Sequence, residues 1–153
     1  TEHRTLKPTR AEAISQFSTL HKEGNEPMEA IRTDRAPAAI GPYSQAIRSG
    51  SLLFCSGQLP ISVETGELIG EDIRDQTYAV LENLHNLLGA AGTDFSQVVK
   101  TTVYLADIRD FDGMNSVYAE IFENGSPARA TVQVAALPKG ALVEIDCIAA
   151  LED

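Results

Sequence analysis

Polar and apolar residues alternate one by one in the last third of the chain and recur at near-helical spacing in two stretches before it. From Arg129 to Ala135, Arg129, Thr131 and Gln133 fall on one side, with Ala130, Val132 and Val134 on the other. Glu144 and Asp146 alternate in the same way with Val143, Ile145, Cys147 and Ala149. Leu137-Pro-Lys-Gly140 supplies turn chemistry between these two runs, so together they predict a β-hairpin. In a sheet with one buried face the polar sides coincide, which sets Thr131 roughly opposite Glu144 and Arg129 near Asp146.

Upstream, Glu29 to Thr33, Ser44 to Arg48 and Leu52 to Ser56 read as short strands, with Ser49-Gly50 as a tight turn and Glu64-Thr-Gly66 as another. Asp72 is placed to cap a helix whose Ile73, Thr77, Val80, Leu81, Leu84, Leu87 and Leu88 form one apolar stripe, ended by Gly89 to Gly92. Val98 to Leu105 is β-branched and aromatic, hence a strand. Asp110 is expected to cap a second helix, carried by Phe111, Met114, Val117, Tyr118, Ile121 and Phe122 and stopped at Asn124-Gly125.

The order βββ-α-β-α-ββ predicts an α+β fold, a single mixed sheet of about six strands with both helices on one face. The other face is expected to carry Arg129, Thr131 and Glu144 among small and apolar residues. Another copy of the chain is its expected cover.

Residues 1–27 have a different character. They are polar apart from Ala11, Ile14, Phe17 and Leu20 at near-helical spacing, with Thr9 and Glu12 as a capping box and Gly24 as a stop. This segment is read as an N-terminal extension, a short docking helix, or as a leader ahead of Met28. Residues 28–153 are read as one domain.

The 153 residues carry a formal charge of −10, with only 12 Lys and Arg, and these are scattered. That balance weighs against nucleic acid or an anionic membrane as a partner. No apolar run approaches the ~20 residues of a membrane span, and the expectation is a soluble cytoplasmic protein. Cys55 and Cys147 lie in apolar strands and read as small buried hydrophobes. His3, His21 and His85 share no ligand spacing, so no metal is expected.

What remains is a guanidinium and a carboxylate on one predicted sheet face, a plausible seat for a small carboxylate-bearing molecule and a water. The bland alternative is a structural ion pair of Arg129 with Glu144 or Asp146.

Four separated segments bear on this choice. Ala36-Pro-Ala-Ala-Ile-Gly-Pro-Tyr-Ser-Gln-Ala46, Cys55-Ser-Gly-Gln-Leu-Pro60, Asn115-Ser-Val-Tyr118 and Pro127-Ala-Arg-Ala-Thr131 occur in the order found in the RidA (YjgF-type) family of imine deaminases, and the chain resembles that family from about Met28 to Leu151. The resemblance implies a chorismate-mutase-like fold and a homotrimer with sites in clefts between subunits. It also implies hydrolysis of 2-imino acids such as 2-iminobutanoate and 2-iminopropanoate, with their 2-aminoacrylate tautomer, and no cofactor.

By the same resemblance Arg129 binds the substrate carboxylate and Glu144 positions a water. Tyr43 and Asn115 line the cleft, and Gly57 offers a backbone contact. Many members have a cysteine where this chain has Thr131, so thiol chemistry is absent here while the backbone N–H of Thr131 remains able to serve. Taken on residues alone, Tyr43 also reads as a packing aromatic, Asn115 as an exposed helix residue, and Gly57 as part of a β-bulge. Two further functions are weighed against deamination. One is an endoribonuclease that inhibits translation, disfavoured by the acidic balance. The other is a non-enzymatic small-ligand binder using the same cleft.

Overall fold

The computed structural model describes residues 7–12, 14–15 and 28–152. Its elements are β1 (Glu29–Ile31), β2 (Ala46–Ser49), β3 (Leu52–Gln58), α1 (Ile73–Ala90), β4 (Val98–Leu105), α2 (Phe111–Ile121), β5 (Ala128–Gln133) and β6 (Val143–Ala150). The six strands form a single mixed sheet in the order β1-β2-β3-β6-β4-β5.

Asp72 begins α1 as expected, its carboxylate accepting from the Asp75 amide at 2.9 Å and satisfying one of the free N–H groups of the first turn. The apolar stripe then packs inward, with Val80, Leu81, Leu84, Leu87 and Leu88 all at or below 1% exposure. They meet Leu53 and Cys55 of β3, Val103 and Leu105 of β4, and Val143, Ile145 and Cys147 of β6 in one core. Met114, Val117 and Tyr118 of α2 complete it.

The chain enters α2 differently from the sequence expectation. Asp110 makes no side-chain capping bond. A 3₁₀ turn, Ile108–Asp110, leads straight into the helix, and it is Asp107 that caps this turn by accepting from the Arg109 amide. With its backbone already close to helical, Asp110 is past the position from which a side chain folds back onto the first turn.

The predicted hairpin is not formed. β5 pairs parallel to β4, with Thr101 beside Arg129 and Val103 beside Thr131. β6 pairs antiparallel to the other edge of β4, with Tyr104 beside Glu144 and Thr102 beside Asp146. β4 thus sits between the two strands that were expected to be neighbours. The turn at 137–140 exists, with Lys139 at φ 58 and Gly140 at φ 72, but it belongs to a connection that crosses the end of β4.

This topology divides the polar residues. Side chains directly opposite in register share a face, so Arg129, Thr131 and Gln133 lie on the same side as Thr101, Val103 and Leu105, the helix-covered side. Glu144 and Asp146 lie on the open side. The expectation that Arg129, Thr131 and Glu144 share one face is therefore wrong. So is the expected proximity of Arg129 to Asp146, whose carboxylate instead accepts from the Tyr104 hydroxyl at 2.9 Å.

On the open side Leu52, Phe54 and Val132 are 38%, 43% and 44% exposed, large apolar groups that neither helix covers. Between β3 and β6 the register slips from Cys55–Cys147 to Gln58–Ile145, so Ser56 and Gly57 face a single residue as a β-bulge. Cys55 and Cys147 are free and buried, as read from sequence. Near the start of the chain Thr9 and Glu12 form the expected reciprocal capping box, and residues 10–12 and 14–15 are helical. Phe17, Leu20 and Gly24 of that reading, with His3 and His21, lie outside the described residues.

Candidate active site

Arg129 is on the edge strand, half-buried, with its side chain against α2. Its Nη1 donates to Asn115 Oδ1 at 2.8 Å. The guanidinium carbon lies 4.6 Å from the centre of the Tyr118 ring and 5.5 Å from that of Phe111. Among the described residues no carboxylate lies within ion-pair distance of it. The guanidinium and Asn115 line a cavity of about 520 Å³ together with Tyr118, Phe122, Glu123, Ser126 and Pro127, and the Glu123 carboxylate makes no ion pair with Arg129. Thr131 follows on the same face, and its Oγ1 is buried with no hydrogen-bond partner.

A second group assembles on the other side of the sheet. The bulge turns Gly57 toward Glu144 so closely that a Cβ built on Gly57 would lie 2.9 Å from Glu144 Cδ. Glycine here is a requirement of that approach as well as a feature of the bulge. Glu144 is half-buried, and burial, followed by the charge of Asp146, raises its carboxyl above the ordinary glutamate value.

Tyr43 and Gly57 both line a cavity of about 610 Å³, with Ile40, Leu59, Val63 and Lys139 among its walls. Tyr43 is 55% exposed, and its hydroxyl accepts from the Ile40 amide at 3.3 Å. It is a cavity residue rather than a packed core aromatic.

Within one chain, then, Arg129 and Asn115 are brought together, and Gly57 is brought to Glu144 and Tyr43. The two groups occupy opposite faces. That separation excludes a structural ion pair of Arg129 with Glu144 or Asp146 of the same chain. Phe111 was legible only as helix periodicity and Tyr118 as that and the end of a motif segment; their contact with Arg129 depends on β5 lying at the sheet edge beside α2. Among the described residues no group of three or more His, Cys, Asp or Glu side chains is placed to hold a metal ion. No helix among them is long and apolar enough to cross a membrane.

Comparison with known proteins gives consistent matches. The sequence model described as Endoribonuclease L-PSP matches residues 33–151. Reactive Intermediate Deaminase A, chloroplastic, of Arabidopsis thaliana is 53% identical over 123 residues, which is 80% of this chain and 66% of that protein, just under two thirds of its length. The 2-iminobutanoate/2-iminopropanoate deaminase of Homo sapiens is 46% identical over 119 residues, 78% of this chain and 87% of that protein. The crystal structure of E. coli TdcF with bound serine superposes with a TM-score of 0.77 at 42% identity, covering 81% of this chain and 98% of that one.

Proposed function

Because the chain belongs to the Endoribonuclease L-PSP family, the family of RidA, we propose that it is a reactive-intermediate deaminase that hydrolyses 2-imino acids such as 2-iminobutanoate and 2-iminopropanoate to 2-oxo acids. The observation that carries this reading is Arg129: a guanidinium facing an open cavity, held by Asn115 and two rings, with no carboxylate partner among the described residues. A charge kept in place and left unpaired is suited to an anionic ligand.

In this reading Arg129 receives the substrate carboxylate through two parallel N–H···O bonds and fixes the imino acid in one orientation. Asn115 lines the same seat with Thr131 next along the strand, and Tyr43 and Gly57 of a second copy would form its far wall. Glu144 takes a proton from a water that adds to C2 of the protonated imine. Glu144 returns that proton to the amino nitrogen of the tetrahedral carbinolamine, the C–N bond breaks to release ammonia, and the hydroxyl proton passes to water as the 2-oxo acid forms. Protonated imines are already electrophilic, so placing the water supplies much of the rate.

Arg129 and Glu144 lie on opposite faces of one chain, so one copy does not hold the whole set. A second copy, its Glu144 side against the Arg129 edge of the first, would complete the site in the homotrimer that we propose. The uncovered Leu52, Phe54 and Val132 support an assembly that buries this face. Light scattering is expected to return about three chain masses.

The test is decay of 2-iminobutanoate, generated in situ by a threonine dehydratase, with and without the protein. Acceleration together with release of 2-oxobutanoate is expected. Because the family description names an endoribonuclease, single-stranded RNA is the control substrate. With a charge of −10 it should remain intact. RNA cleavage lost in Arg129→Ala, with no effect on the imine, would overturn the deaminase reading.

Thr131 gives a separate check. An unpaired buried hydroxyl costs ~1–3 kcal/mol, and Thr131 Oγ1 is such a group. Thr131→Val should therefore raise stability by about 1 kcal/mol in denaturant melts while substrate binding, which uses the backbone N–H, is kept. Thr131→Ser and Thr131→Cys should keep most of the rate. A Val variant less stable than the parent would show that the hydroxyl has a structural partner.

A further inference from the structure

Arginine side chains are long, and one without an anion beside it normally samples many rotamers, which a ligand must then restrict. Arg129 is held in advance. Phe111, Asn115 and Tyr118 stand at spacings of four and three residues on α2 and so form one stripe on the helix. All three meet the same guanidinium, the two rings at 5.5 and 4.6 Å and Asn115 Oδ1 at 2.8 Å. Rings attract a guanidinium through its delocalised charge and compete little for its N–H donors. Asn115 takes one of the five donors, and most of the fork is left for a carboxylate.

The cage is itself anchored. The Tyr118 hydroxyl and Thr101 Oγ1 are 2.8 Å apart in a buried hydrogen bond. Thr101 lies directly beside Arg129 in the β4–β5 register. Strand, ring and guanidinium thus close a circuit: β5 presents Arg129, β4 holds Tyr118 by its hydroxyl, and the Tyr118 ring holds Arg129. Tyr118 is 5% exposed and also packs on Phe122 at 4.5 Å between ring centres, which by itself would suit an ordinary core residue. Phe111 differs, being half-buried at the first residue of α2.

We infer that Phe111 and Tyr118 are positioning residues for Arg129, forming an aromatic cage that holds the guanidinium ready for the carboxylate of the substrate. The inference rests on the proposed role of Arg129 and adds what sets its affinity. A preorganised guanidinium favours binding in ground and transition states alike, so the cage should be felt in KM more than in kcat.

The experiment compares Phe111→Leu, Tyr118→Leu, Tyr118→Phe and Arg129→Ala in the full chain. Each is checked for cooperative melting and parental mass, then titrated calorimetrically with 2-oxobutanoate and assayed with 2-iminobutanoate. Folded Phe111→Leu and Tyr118→Leu should each bind the oxo acid about tenfold more weakly and raise KM to match, with kcat within about threefold. Tyr118→Phe keeps the ring and should stay within about threefold of the parent in binding. Should Tyr118→Leu fail to fold, Phe111→Leu carries the test, since its ring is outside the fully buried core. Parental affinity in folded Phe111→Leu alongside loss of binding in Arg129→Ala would overturn the cage while leaving the role of Arg129 intact. Parental affinity in Arg129→Ala would overturn both.

Discussion

Arg129→Ala is expected to lower kcat/KM for 2-iminobutanoate by about a thousandfold, roughly 4 kcal/mol of transition-state stabilisation, while the protein stays folded. The side chain has no ion pair among the described residues to lose, and its removal opens a cavity already lined by polar groups, so the fold has little at stake. Arg129→Lys tests geometry rather than charge. An ammonium neither presents a flat fork to a carboxylate nor lies between two rings as a guanidinium does, so a loss of about tenfold to a hundredfold is expected. Steady-state kinetics alongside thermal melts separate the two effects. Parental kcat/KM in folded Arg129→Ala would remove Arg129 from the site.

The next largest effect is expected at Glu144. Glu144→Gln keeps the size and hydrogen-bonding reach of the side chain but removes its basicity, and should lower kcat about a hundredfold if Glu144 takes the proton from water. Retention of a tenth or more of the parental rate would make it a water-orienter only.

The pH dependence has a defined sign. Burial, and after it the charge of Asp146, raises the Glu144 carboxyl, so the folded protein binds this proton more tightly than the unfolded chain does. The basic form is thus lost, and kcat falls, at a higher pH than for an ordinary glutamate. The same shift destabilises the folded state once pH rises above the folded value of the group, and this penalty vanishes below the unfolded value. Glu144→Gln should therefore be the more stable protein at neutral pH. Its advantage should disappear as pH falls through the Glu144 titration, which denaturant melts across that range would follow.

The local elements were readable because each rests on local chemistry. The α1 stripe, the Asp72 cap, the Val98–Leu105 strand and the burial of both cysteines all follow from side-chain type and spacing. The neighbour relations of β5 and β6 do not. Alternation with a turn between describes a hairpin and a crossing connection equally well, and only the pairing of β4 with both strands decides between them.

That one difference carried the site with it. Pairing β5 with β6 put Arg129 and Glu144 together, whereas inserting β4 sends them to opposite faces. The assumption that polar residues mark the uncovered face also fails on an edge strand. β5 is an edge strand, so Arg129 faces the helix side and is only half-buried against α2. Asp110 shows the same limit at smaller scale, because a 3₁₀ turn ahead of α2 moved the cap to Asp107. Conversely, the motif segments singled out Arg129, Asn115, Tyr43 and Gly57 as expected site residues, and the resemblance they carry added Glu144, without any knowledge of which face each would occupy.

The central claim is that Arg129 of one chain works with Glu144 of another, and mixed oligomers test it. Arg129→Ala and Glu144→Ala chains, each nearly inactive alone, are unfolded together in equal amounts and refolded. If sites lie between subunits in a ring, random assembly leaves about a quarter of them with both side chains intact. Recovery of about that fraction of parental activity with 2-iminobutanoate is the predicted result. Mixed oligomers, verified as mixed by native mass spectrometry, that remain as inactive as either parent variant would contradict the shared site.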